Sequence, residues 1–251
     1  MAAIIPISES DIDFDHGSFD AAGFTLKALS SWQNLAALLD HTILKADATR
    51  DQVENLCDEA IRYGFACAMV NPVWVPTAVS VLSGTGVPVG VVIGFPLGAT
   101  LPSTLRQEAE ALTRLGAREL DMVIPVGQLK SGNHQAVENT IRAAASTAHQ
   151  YGAILKVILE TCLLNVEEKL RGSEIAIKAG ADFLKTSTGF SSGGATAADV
   201  ALLRGVAGAR SGVKASGGIR TLNDARAMLE AGANRLGVSA SVAIVRELGA
   251  D

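Results

Sequence analysis

From Leu35 to the end of the chain, apolar runs of strand length alternate with longer stretches in which apolar residues recur every three to four positions. The runs predict strands at Leu39–Thr42, Phe65–Val70, Val87–Phe95, Glu119–Pro125, Ile154–Thr161, Asp182–Thr186, Val213–Ala215 and Arg235–Val238. Between and after them the longer period predicts helices at Thr49–Tyr63, Pro72–Ser83, Thr100–Leu115, Asn133–Tyr151, Val166–Ala179, Ala197–Ala209, Leu222–Ala231 and Val242–Leu248. Several of these helices run into a glycine just before the next strand, at Gly64, Gly116, Gly152, Gly180 and Gly232, as a left-handed cap favours. The continuous apolar character of Val87–Phe95 is that of a parallel strand covered on both faces. Eight strand-helix units without a linker predict an α/β protein, a (β/α)8 TIM barrel in a single domain with an N-terminal extension. An open doubly wound sheet is the alternative.

Residues 1–30 break the pattern. Glu9, Asp11, Asp13, Asp15 and Asp20 face only Lys27, and no apolar period is sustained, so this stretch is expected to be a mobile or loosely docked leader before a barrel domain at 31–251. An extra helix closing one end of the domain is the equal alternative. A net charge of −5 without a Lys/Arg cluster argues against a nucleic-acid surface. No segment has the length and character of a signal peptide or membrane span, and Cys57, Cys67 and Cys162 are too scattered for a disulfide framework or zinc module. A cytoplasmic protein is expected.

Three lysines sit inside apolar strands where an ammonium is costly to bury: Lys156, Lys185 and Lys214, spaced one strand-helix unit apart. Strand alternation places Asp121 with them at the barrel mouth, and mutual repulsion among the lysines would favour a neutral, nucleophilic amine. A second group is small and rich in backbone N–H: Thr188 and Gly189 after the sixth strand, Gly217 and Gly218 after the seventh, and Ser239 at the eighth. Barrels often seat a phosphate there. Asp40 and Thr42 end the first strand and are candidate supporting residues, with His41 between them. Glu160 reads as a buried partner of Lys156, while Lys130, Lys169 and Lys178 read as solvated. His16, His41, His134 and His149 lack metal-ligand spacing, so neither a metal nor another cofactor is expected.

Leu39-Asp40-His41-Thr42-Ile43-Leu44, Glu119-Leu120-Asp121-Met122-Val123-Ile124 and Leu155-Lys156-Val157-Ile158-Leu159-Glu160-Thr161 resemble the deoxyribose-phosphate aldolase family. So, more specifically, do Phe183-Leu184-Lys185-Thr186-Ser187-Thr188-Gly189 and Val213-Lys214-Ala215-Ser216-Gly217-Gly218-Ile219-Arg220. The resemblance covers residue 35 to the end. It implies a class I, metal-free lyase that reversibly cleaves 2-deoxy-D-ribose 5-phosphate to D-glyceraldehyde 3-phosphate and acetaldehyde, its partners being these small molecules. Lys185 then matches the Schiff-base lysine, Lys214 the lysine that perturbs it and Asp121 the aspartate of the proton relay, with the phosphate at Gly189, Gly217, Gly218 and Ser239. A homo-oligomer is implied, with a dimer favoured. Met69 stands where relatives often carry a cysteine, which implies less inactivation by aldehyde by-products; Pro125 and Ala240 also depart from the family pattern.

Overall fold

The computed structural model describes residues 19–251. Eight parallel strands close into a barrel in sequence order: β1 Leu39–Ile43, β2 Cys67–Val70, β3 Val89–Ile93, β4 Glu119–Val123, β5 Ile154–Ile158, β6 Phe183–Lys185, β7 Gly212–Ser216 and β8 Arg235–Val238. Closure is made by β8 against β1, with Leu236 beside Leu39 and Val238 beside His41. The helical shell is α3 Arg50–Tyr63, α4 Val75–Leu82, α5 Pro102–Arg114, α7 His134–Gln150, α8 Val166–Lys178, α9 Ala197–Ala207, α10 Leu222–Glu230 and α11 Ser241–Glu247. Short helices at α1 Ala21–Ala28, α2 Trp32–Ala36 and α6 Val126–Lys130 add to it. The barrel is therefore the architecture expected, and the open sheet is excluded.

Local chemistry sets the element ends. Thr49 opens α3 with a reciprocal capping box to Gln52, and Gly64 closes it at φ 66, where a side chain would be strained. Strands stop earlier than their apolar runs. The run through Phe95 ends as a strand at Ile93 because Gly94 turns to φ 59, and the run through Thr161 ends at Ile158 because Glu160 turns to φ 55. The main apolar core lies between the outer faces of the strands and the helices.

Part of the expected leader is structured. Asp20 accepts a hydrogen bond from Gly23 N–H to cap α1, which packs on α10 and α2, and the Arg204 guanidinium lies 4.1 Å from the centre of the Phe19 ring. Ala21–Ala28 thus form a helix against the shell, with Thr25 and Ala28 buried. The acidic stretch Glu9–Asp15 lies outside the described residues.

Candidate active site

The barrel interior is polar at the height of the strand centres. Register pairs Asp121 with Lys156 and, one inward layer further along, Lys185 with Lys214, Lys185 lying opposite Ile158; from these four consecutive strands the charged side-chain ends converge inside the barrel. Gly237 on β8 makes room, since a Cβ there would stand 2.8 Å from Lys214 Cε. All four side chains are essentially cut off from solvent, with Lys185 the most exposed of them at 3%.

Asp121 is the hub. Its Oδ2 accepts from Lys185 Nζ at 2.7 Å and from Lys214 Nζ at 2.6 Å, and its Oδ1 accepts from Lys156 Nζ at 2.9 Å. Lys214 also donates to Asp40, whose Oδ1 lies 3.2 Å from Arg235 Nε. Glu119 completes the group, 2.5 Å from Lys156 Nζ and 2.6 Å from Arg235 Nη2. Burial opposes the charge on Asp121, but Lys156, Lys185 and Lys214 outweigh it and hold the carboxyl well below its usual range. Asp40 is brought down to about 2 by Arg235, Lys214 and Lys156 against the same opposition.

The lysines do not behave alike, which corrects the expectation of simple mutual repulsion. Burial pushes Lys156 toward the neutral amine, yet Asp121, Glu119 and Asp40 overcome this and raise its pKa well above normal. Lys185 has one carboxylate, shared with Lys214. Burial, assisted by Lys214 and Lys156 and opposed by Asp121, brings it down to about 8. Lys185 is thus the amine poised to lose its proton near neutral pH.

Glu160 is not the partner of Lys156. It is 3% exposed and accepts hydrogen bonds from the Thr188 backbone N–H, at 3.3 Å to Oε1, and from the Thr188 hydroxyl. Thr188 Oγ1 in turn accepts from Phe190 N–H at 3.0 Å, so the turn after β6 is pinned from the end of β5. The turns after β6 and β7 are tied together as well: Ser216 Oγ donates to the Ser187 carbonyl at 2.6 Å, and Thr186 Oγ1 donates to that of Ser216 at 3.2 Å. Ser187 itself is fully buried, and its hydroxyl has no partner among the described residues.

Gly189, Gly217 and Gly218 all take positive φ, at 83°, 83° and 84°. The Gly217 backbone packs so closely on Gly189 and Gly194 that a Cβ there would stand 3.1 Å from Gly194 Cα. Register of Ser216 with Gly237 carries Ser239, just past the end of the neighbouring strand, to the same mouth, where it is exposed. The result is a small-residue rim beside Lys185, suited to an anion approached by backbone N–H groups.

Some expectations land elsewhere. His41 points outward, with Nε2 2.7 Å from Glu59 and Nδ1 3.0 Å from Ser241 Oγ. Thr42 donates to the Asp40 carbonyl at 2.8 Å, a tie within β1. Lys169 is not solvated but pairs with Asp199 at 2.6 Å in the helical shell. Arg235 went unnoticed in the sequence because it opens a strand, where an arginine ordinarily reaches solvent. Its spacing of two from Gly237, on Lys214's side of the sheet, was the available signal. Donor atoms of Asp40, Cys67 and Glu119 lie within 4.8 Å of one another, but the two carboxylates already face Lys156, Lys214 and Arg235, so this set does not fit a metal ion.

The chain matches the DeoC/LacD family aldolase signature over residues 35–246. It is 55% identical over 212 residues to the deoxyribose-phosphate aldolase of Geobacillus sp. (strain WCH70), covering 84% of this chain and 95% of that one. It is 51% identical over 219 residues to that of Lysinibacillus sphaericus (strain C3-41), covering 87% and 98%. Among solved structures, the tetrameric deoxyribose phosphate aldolase of Aeropyrum pernix superposes with a TM-score of 0.84 at 35% identity, over 92% of this chain and 97% of that one. With its closed barrel and interior lysines, the chain belongs to the DeoC/LacD family of aldolases.

Proposed function

We propose that this chain is a class I aldolase that reversibly cleaves 2-deoxy-D-ribose 5-phosphate into D-glyceraldehyde 3-phosphate and acetaldehyde through a Schiff base on Lys185. The observation that carries this reading is the state of Lys185: a buried amine brought down to about 8, beside a glycine rim fit for a phosphate. An ordinary lysine at ~10.4 has far too little free amine at neutral pH to attack a carbonyl.

Lys185 Nζ adds to C1 of the open-chain aldehyde, and loss of water leaves an iminium ion. The C3 hydroxyl then gives up its proton and the C2–C3 bond breaks, its electron pair moving to C2 to form an enamine as the iminium is neutralised. Glyceraldehyde 3-phosphate departs; protonation of C2 and hydrolysis of the new iminium release acetaldehyde and restore the amine. Lys214 shares Asp121 Oδ2 with Lys185 and is the proton carrier within reach. Asp121, held well below its usual range, stays an anion and orients both ammonium groups. The 5-phosphate sits at Thr188, Gly189, Gly217, Gly218 and Ser239, remote from the bond that breaks, so its binding energy fixes orientation.

The test is reduction with borohydride in the presence of acetaldehyde or deoxyribose 5-phosphate, followed by peptide mass mapping. A two-carbon adduct on Lys185 is expected. An adduct on Lys214 or Lys156 would reassign the nucleophile, and no adduct would overturn the Schiff base. Three free cysteines accord with action in the cytoplasm, and the tetrameric Aeropyrum pernix relative accords with a homo-oligomer, which we read as a dimer and which light scattering would count.

A further inference from the structure

The interior charges form a closed ring. From Arg235 the contacts run to Glu119 Oε1 at 2.6 Å, from Glu119 Oε2 to Lys156 at 2.5 Å, and from Lys156 to Asp121 Oδ1 at 2.9 Å. From Asp121 Oδ2 they run to Lys214 at 2.6 Å, then to Asp40, and from Asp40 Oδ1 back to Arg235 Nε at 3.2 Å. Signs alternate all the way round, so every member touches at least two opposite charges, Lys156 reaching Asp40 across the ring at 3.5 Å as well, and the ring of three cations and three carboxylates is neutral. Lys185 is attached at a single point, the Asp121 oxygen that it shares with Lys214. It is the fourth cation against three carboxylates.

Among the described residues no other charge beside the ring balances it. β2 contributes Cys67, whose thiol burial pushes well up and keeps neutral; β3 contributes only Gly90 and Val92 inside; and Glu160, beyond β5, is engaged by Thr188. An unbalanced charge in a closed interior is costly, and the interior sheds it from the least paired member.

We propose that Arg235 is a positioning residue for the reaction: by completing the ring it leaves Lys185 as the surplus positive charge, and so makes Lys185 the amine that is freed as the nucleophile. This inference rests on Lys185 as nucleophile. Without Arg235, Asp40 and Glu119 each lose a partner, Lys214 is drawn toward Asp40, and Asp121 Oδ2 is left to Lys185. Three cations then meet three carboxylates, and Lys185 keeps its proton. Removing a carboxylate acts in the opposite sense. The Arg235 side chain is 14% exposed, so solvent screens part of its charge and moderates the shift.

The test is the pH dependence of Lys185 acetylation by a trace of acetic anhydride, read by peptide mass on the substrate-free protein. This titrates the amine whether or not the protein turns over. We expect Arg235→Met to raise the Lys185 midpoint by about one pH unit, leaving about tenfold less free amine at pH 7. Arg235→Lys, which keeps the charge, should stay close to wild type, and Glu119→Gln should lower the midpoint. An unmoved midpoint in folded Arg235→Met, or an equal shift in Arg235→Lys, would overturn the proposal. Should Arg235→Met not fold, Glu119→Gln decides alone, and an unchanged or raised midpoint there is equally fatal. A Lys185 that titrates as expected but forms no borohydride adduct would instead remove the aldolase reading and leave the ring standing.

Discussion

At the scale of single residues, the molecule treats chemically identical side chains differently by counting their partners. Lys156 has three carboxylates around it and is fixed as a cation; Lys185 has half of one. Because Lys185 titrates at about 8, kcat/KM should climb about tenfold per pH unit on the acid side and flatten above about pH 8. A limb that levels off below pH 7 would mean that another group governs the amine. Glu160 combines two unusual features, a left-handed backbone and a buried carboxylate. Glu160→Ala takes away the acceptor of the Thr188 N–H and hydroxyl and keeps the backbone strain, so a loss of roughly 2–4 kcal/mol is expected in urea unfolding. Glu160→Gly loses the same acceptor without the strain and should cost about 1 kcal/mol less. Equal losses would show that the left-handed turn stores nothing.

At the scale of elements, the mouth is made by turns that only glycine can follow. Gly217→Ala forces a side chain into φ 83 and against Gly194, displacing the rim proposed to hold the phosphate. KM for deoxyribose 5-phosphate should rise about tenfold or more with a smaller change in kcat, while unphosphorylated 2-deoxyribose loses little. Equal losses for both substrates would remove the phosphate from this rim. The strands and their helices were legible in the sequence because burial on both faces leaves an uninterrupted apolar run, and because Thr49 and Thr221 announce helix starts by side-chain capping. Lys185, Lys214 and Asp121 were legible for the converse reason, as charges where charge is expensive. What periodicity could not reach were contacts across the barrel. Arg235 and Glu119 sit at strand beginnings, where a charge ordinarily meets solvent, and only closure turns them inward onto Asp40 and Lys156. Helix α1 stayed an even alternative to a mobile leader for a related reason: its eight residues have a weak pattern of their own and pack on α10.

At the scale of the whole molecule, the buried ring ties stability to acid. Asp40 moves from an ordinary 3.8 to about 2 on folding, so its contribution is present above pH ~4 and is lost as pH falls through about 2. That shift is worth roughly 2 kcal/mol, and Asp121 adds in the same direction. The urea midpoint should therefore fall steeply below pH 4; a flat profile there would mean that the carboxylates are not held as ion pairs. The order in which the chain supplies these charges has a further result. β1 to β4 bring Asp40, Glu119 and Asp121, whereas β5 to β8 bring Lys156, Lys185, Lys214 and Arg235. Each half of the barrel is thus a surface of one sign at its open edge, and the two are electrostatic complements. Severed in the turn between α7 and β5, the fragments should recognise each other from solution, with an association rate that falls steeply as salt is added.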